Sequence, residues 1–125
     1  MRVLALLLLL FRPAWAAEPV DLALVLVSDV SRSVDDAEFR MQKAGYAAAF
    51  ADPRVLGAIR NGAIGAIAVA YVEFAGSFEV RTVTDWRIVR DGASAKAMTD
   101  AMEAAPRSFW GRTSISAGIE IQRLR

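Results

Sequence analysis

Histidine and cysteine are both absent from this chain. Without imidazole there is no Ser-His-Asp triad, no imidazole general base and no histidine-ligated zinc; without thiols there is no thiolate nucleophile, iron–sulfur cluster or disulfide framework. Only hydroxyls, carboxylates, amines and backbone remain for chemistry. A surplus of one charge is missing too: 15 Lys and Arg stand against 14 Asp and Glu, a formal net charge of +1. No basic cluster marks one face, so nucleic acid is not an expected partner. No G-x-x-x-x-G-K-[ST] occurs, which removes a P-loop. Nor does any apolar run reach the roughly 20 residues that span a bilayer as a helix.

What the chain does have is 55% apolar residues in 125. Part of that excess is local. Arg2 gives a positive start, Val3 to Phe11 are continuously apolar, and Ala14-Trp15-Ala16 sets small side chains at the −3 and −1 positions of a cleavage after Ala16. Residues 1–16 therefore read as a secretory signal peptide, and the mature protein as exported, periplasmic or secreted, with no stable membrane span. The remainder is long enough for one small domain that packing alone must hold together, since disulfides are unavailable.

Asp21 to Ser28 (DLALVLVS) is rich in Leu and Val on both alternations, which predicts a strand covered on both faces in the middle of a parallel sheet. After the turn-like DVSRSVD the period changes. Phe39, Tyr46, Ala47 and Phe50 share a helical stripe, and Asp36, Glu38, Arg40 and Lys43 are expected to face water. Asp35 with Glu38 three residues on resembles a capping box, and Asp52-Pro53 should end the helix. Val55 to Arg60 predicts a short helical turn closed by Asn61-Gly62. Ile64 to Ala75 predicts a second strand, Gly76-Ser77 a hairpin loop, and Phe78 onward a third strand at the edge, with Trp86 to Val89 extending it. Ser94 to Ala104 predicts a helix turning Ala97, Met98, Ala101 and Met102 inward, and Ser114 to Arg125 another that uses Ile115, Ile119 and Leu124. This order implies an α/β layered domain with a central first strand. Because no strand follows to flank the first one, residues 20–125 are expected to be the N-terminal part of a larger domain, with an apolar edge prone to pairing or aggregation.

Asp29-Val30-Ser31-Arg32-Ser33 lies where the first strand passes into a helix, the position at which open parallel sheets bind ligands. Asp, Ser and Ser at alternate positions can project three oxygens to one side. Oxygen ligands suit a hard cation, and so few of them suit Mg²⁺ or Mn²⁺, which keep waters, better than Ca²⁺. An ion with so little protein charge around it stays electropositive toward an incoming carboxylate. The plainer reading of the same residues is helix capping, for which Asp and Ser are ordinary choices.

At this point the residues reach a resemblance. VLVSDVSRSVD, with a strand before and a helix after, resembles the metal-ion-dependent adhesion site of von Willebrand factor type A (vWA) domains. The hairpin of the second and third strands fits that family's three-layer, doubly wound, Rossmann-like sheet with its antiparallel edge strand. Gly111-Arg112-Thr113-Ser114 is similar to the family's G-x-T segment. More narrowly, DLALVLVSDVSRSVD, AVAYVEFAG and PRSFWGRTSISAGI are similar to an uncharacterised group of exported bacterial proteins with this fold. The resemblance implies that Ser31 and Ser33 coordinate the ion through hydroxyls, that Asp29 acts through bound water, and that Thr113 joins directly or through water. The family's pattern also includes an Asp in a loop after a further strand, a point the sequence does not reach.

Phe109, Trp110 and Arg112 stand beside Thr113, where aromatics and Arg can flank a partner's carboxylate; packing beneath the loop is the competing reading for the two aromatics. Glu73, near the end of the second strand, is expected to be a solvated strand-end carboxylate, with a supporting role toward the ion as the alternative. Tyr46, Phe50 and Trp86 are assigned to the core, and Arg123 and Arg125 to a helix C-terminus. The functional expectation is an exported, non-enzymatic domain that binds a protein partner through a divalent cation. A metal-free scaffolding fragment is the alternative. An aspartyl-nucleophile phosphatase is the third possibility, disfavoured because Ser31 stands where such an enzyme places its general acid, and a hydroxyl is a poor acid near neutral pH.

Overall fold

The computed structural model describes residues 17–76 and 78–109. Six elements follow in order: strand β1 (Leu22–Asp29), helices α1 (Asp36–Ala51) and α2 (Pro53–Arg60), strands β2 (Ile67–Phe74) and β3 (Val80–Val89), and helix α3 (Gly92–Ala104). The expected signal peptide and the helix expected over 114–125 lie outside the described residues.

The sheet runs β1-β2-β3, with β1 parallel and β3 antiparallel to β2. Among the described residues β2, not β1, is therefore the middle strand. Burial agrees with that order. β2 is buried at seven of its eight positions, whereas Leu22 at the start of β1 is 53% exposed. Leu and Val on both alternations of β1 predict a covered centre; among the described residues β1 has one strand neighbour, β2. Ile67, Val69 and Tyr71 alternate onto one face of β2, and there they meet Phe50 of α1, Ile59 of α2 and Ala95, Met98 and Met102 of α3 in one cluster. All three described helices thus cover the same face, and α1 packs against α3. A second helical layer is not among the described residues.

Local signals explain most boundaries. Asp35 caps α1 through the Glu38 amide while Glu38 bonds back to the Asp35 N–H, so the capping box is present as expected. Asp52 ends α1 in an extended conformation and at once caps α2, with Pro53 at its start, which makes a full helix of the expected turn. Asp91 and Ser94 form a second reciprocal cap on α3. β2 begins three residues later than expected because Ile64, Gly65 and Ala66 donate their amides to the Asp21 carboxylate, at 2.9, 2.8 and 3.3 Å. Gly65 has φ +81° within this loop, a conformation that a side chain disfavours. The hairpin loop is longer than two residues: Ala75 N–H donates to Glu79 O, β3 starts at Val80, and Phe78 is almost wholly exposed.

Three side-chain assignments change. Trp86 is 39% exposed on the outer edge strand and is not core. Ala97 is exposed, while Ala95 and Thr99 join Met98 and Met102 on the buried face of α3. Lys43, expected in water, is buried together with Phe39 and Phe50.

Candidate functional site

The parallel register sets Ser28 opposite Glu73 and Asp29 opposite Phe74, so the ends of β1 and β2 form one crest. Val30 N–H extends the ladder by donating to Phe74 O at 2.9 Å. The chain then turns. Asp29 Oδ1 accepts the Ser31 amide at 2.8 Å, Val34 N–H donates to Ser31 O at 2.9 Å, and Ser31 Oγ stands 3.0 Å from Ser33 Oγ. Ser31 is fully buried and Ser33 exposed, so the hydroxyl pair straddles the surface. Gln42, one helical turn and a half into α1, donates to Asp29 O at 3.5 Å.

Of the residues singled out from sequence, Asp29, Ser31 and Ser33 are brought together on this turn. Phe109 is half-buried and contributes its carbonyl to Arg107 Nε at 3.0 Å. Thr113, Trp110 and Arg112 lie outside the described residues. No group of three or more carboxylates gathers among the described residues, so an ion here would rely on hydroxyls, backbone and water.

Below the crest is a buried polar cluster. Glu73 is fully buried, which corrects its expected solvation. Its Oε1 accepts from Tyr71 OH at 3.0 Å, its Oε2 accepts from the Ser108 amide at 2.9 Å, and Lys43 Nζ lies 3.9 Å from Oε1. Lys43 also donates to Ala105 O at 2.5 Å and stands 4.5 Å above the Phe39 ring. Burial pulls the Lys43 ammonium below the ordinary lysine range, against the opposing pull of Glu73 and Glu103. Burial likewise holds the Tyr71 hydroxyl protonated well above the ordinary tyrosine range. Ser28 Oγ meets Tyr46 OH at 3.1 Å, and the Tyr46 and Tyr71 rings pack edge to face at 5.9 Å.

Arg107 is the residue sequence reasoning missed. Its guanidinium, from the segment after α3, donates to Val30 O and Ser31 O. Nothing local to positions 105–109 signals this, because the partners lie more than seventy residues away. Lys43 did carry a signal. It stands four residues after Phe39 and seven before Phe50, inside the apolar stripe of α1.

The family described as "Protein of unknown function (DUF1194)" matches over residues 19–123. The chain belongs to this family. No curated protein and no solved structure matches the sequence. The DUF1194 region takes in all six described elements, the Asp29–Ser33 turn and the Gly111–Ser114 segment. No helix among the described DUF1194 residues is long and apolar enough to cross a membrane.

Proposed function

We propose that this DUF1194 chain is an exported, non-enzymatic protein-binding domain of vWA-like, three-layer architecture, in which Mg²⁺ or Mn²⁺ at the Asp29–Ser33 turn recruits a carboxylate from a protein partner. The observation that carries the reading is the 3.0 Å separation of Ser31 Oγ and Ser33 Oγ. Adjacent ligands of an octahedral ion with metal–oxygen distances of about 2.0–2.1 Å stand about 2.9–3.0 Å apart. The two hydroxyls therefore fit neighbouring positions of such an ion without a change of rotamer. Asp29, whose Oδ1 braces the Ser31 amide, supplies the nearby negative charge, and Thr113 is assigned to the set by its G-x-T context. When bound, the ion would supply a positive, partly hydrated coordination site for an anionic group. Phe109, Trp110 and Arg112 are proposed to flank that group.

A metal-free scaffold is the second reading, and one observation favours it. The Arg107 guanidinium against Val30 O and Ser31 O places a positive charge close to the turn, which opposes a second cation. Titration calorimetry decides between them. Mg²⁺ or Mn²⁺ should give a binding isotherm with the unaltered chain that is lost in Ser31→Ala and weakened in Thr113→Ala. Equal, blank heats in all three would leave the scaffold.

A further inference from the structure

We propose that Arg107 is a positioning residue for the Ser31–Ser33 turn, setting the direction of its hydroxyls from a strap tied to buried Glu73; the proposal rests on the ion-site reading above. Val30 and Ser31 are both fully buried, and their carbonyls stand just past the last ladder bond of the sheet. Buried carbonyls need donors. Arg107 provides them: Nε and Nη2 donate to Val30 O at 3.0 and 2.7 Å, and Nη2 also donates to Ser31 O at 2.5 Å. Only a guanidinium offers donors in a rigid planar fork able to hold two successive carbonyls at once. Fixing those carbonyls fixes the two peptide planes around Ser31, and with them the direction of its Cα–Cβ bond and the reach to Ser33.

The fork is itself held from every side. Its side chain is 4% exposed, Nη1 lies 3.6 Å from Asp36 Oδ1, and the guanidinium stands 5.6 Å over the Phe39 ring. The strap carrying it is tied on both flanks, by Ala105 O accepting from Lys43 and by Ser108 N–H donating to Glu73. Glu73 sits in the middle strand, so the turn and the segment after α3 share one rigid reference. This gives the buried carboxylate a function that solvation at a strand end would not.

The variant that isolates positioning from charge is Arg107→Lys, which keeps the cation and loses the fork. In the full chain it should speed amide hydrogen exchange at Ser31 and Val34 about tenfold or more, the scale of losing a charge-assisted hydrogen bond, with β2 and β3 amides unchanged. Mg²⁺ affinity in the same samples should fall by a similar factor. Turn exchange and Mg²⁺ affinity both at the unaltered level would overturn the proposal. If the unaltered chain binds no Mg²⁺, the ion reading fails while the exchange comparison still decides the positioning. Should Arg107→Lys lose protection throughout the sheet, Lys43→Met/Glu73→Gln serves instead, because methionine cannot donate to Ala105 O: faster exchange at Ser31 and Val34 on loosening the strap supports the coupling, and unchanged exchange there overturns it.

Discussion

Two buried side chains of opposite charge, Lys43 and Glu73, set the energetics around the crest. Their separation of 3.9 Å is long for a hydrogen bond, yet each has other partners: Ala105 O for the ammonium, and Tyr71 OH and Ser108 N–H for the carboxylate. Removing one partner strands the other charge in a low-dielectric site. Lys43→Met should therefore destabilise by about 3 kcal/mol, whereas Lys43→Met/Glu73→Gln should recover more than half of that loss, because a neutral pair needs no counter-charge. Urea denaturation of these two variants and of Glu73→Gln alone measures the coupling. Losses that simply add would show that the pair does not act as a unit. At this scale the sequence was partly legible. Asp29, Ser31 and Ser33 are adjacent in the chain, and their alternation already put them on one turn. Lys43 could have been read from its place in the α1 stripe, but a charge there is also compatible with snorkelling to water. The burial of Glu73 is not legible, because a strand-end carboxylate and a buried one look alike until the segment that covers it is known.

Among the elements, the one whose start is decided from a distance is β2. Asp21, just before β1, accepts three amides from the loop ahead of β2 and so ties the entrance of one strand to the entrance of its neighbour. A Cβ at Gly62 would meet the Asp21 carboxylate, which leaves this loop little room for other residues. The Ile64 amide, followed by those of Gly65 and Ala66, holds the Asp21 carboxyl below its ordinary 3.8, against a raising effect of burial. A depressed folded value means stability that is present above 3.8 and lost as pH falls through the folded value. Asp21→Asn should thus lower the urea midpoint near neutral pH and converge with the unaltered chain in acid. Midpoints that differ by a constant amount at every pH would remove the charge from the account. Helix starts were the most readable feature at this scale, since a cap uses residues within three positions of each other, as Asp35 and Glu38 do. The late start of β2 was not readable: Ile64-Gly65-Ala66 is apolar enough for a strand, and only the carboxylate 43 residues earlier claims its amides.

For the molecule as a whole, strand order is what positions the site. With β2 in the middle, its amides are enclosed by a parallel neighbour on one side and an antiparallel one on the other. Native-state hydrogen exchange should accordingly find the slowest amides in Val69 to Val72 of β2 and faster ones in β1. Slowest exchange in β1 would contradict this order. An open apolar groove of about 780 Å³ between β1, α1 and α2, with Leu24, Leu26 and Phe50 on its walls, lies away from the crest and has no part in the proposed chemistry. The sequence by itself determined the element order, the α1 capping box, the turn at Asp52-Pro53 and the clustering of Asp29, Ser31 and Ser33, because each depends on propensities and bonds spanning only a few residues. Tertiary structure alone decided that β2 lies between β1 and β3, that all three described helices share one face, and that Lys43, Glu73 and Arg107 converge beneath the turn. Such convergence depends on contacts between segments thirty to seventy-seven residues apart, and a side chain's local pattern carries no record of the partner that folding brings to it.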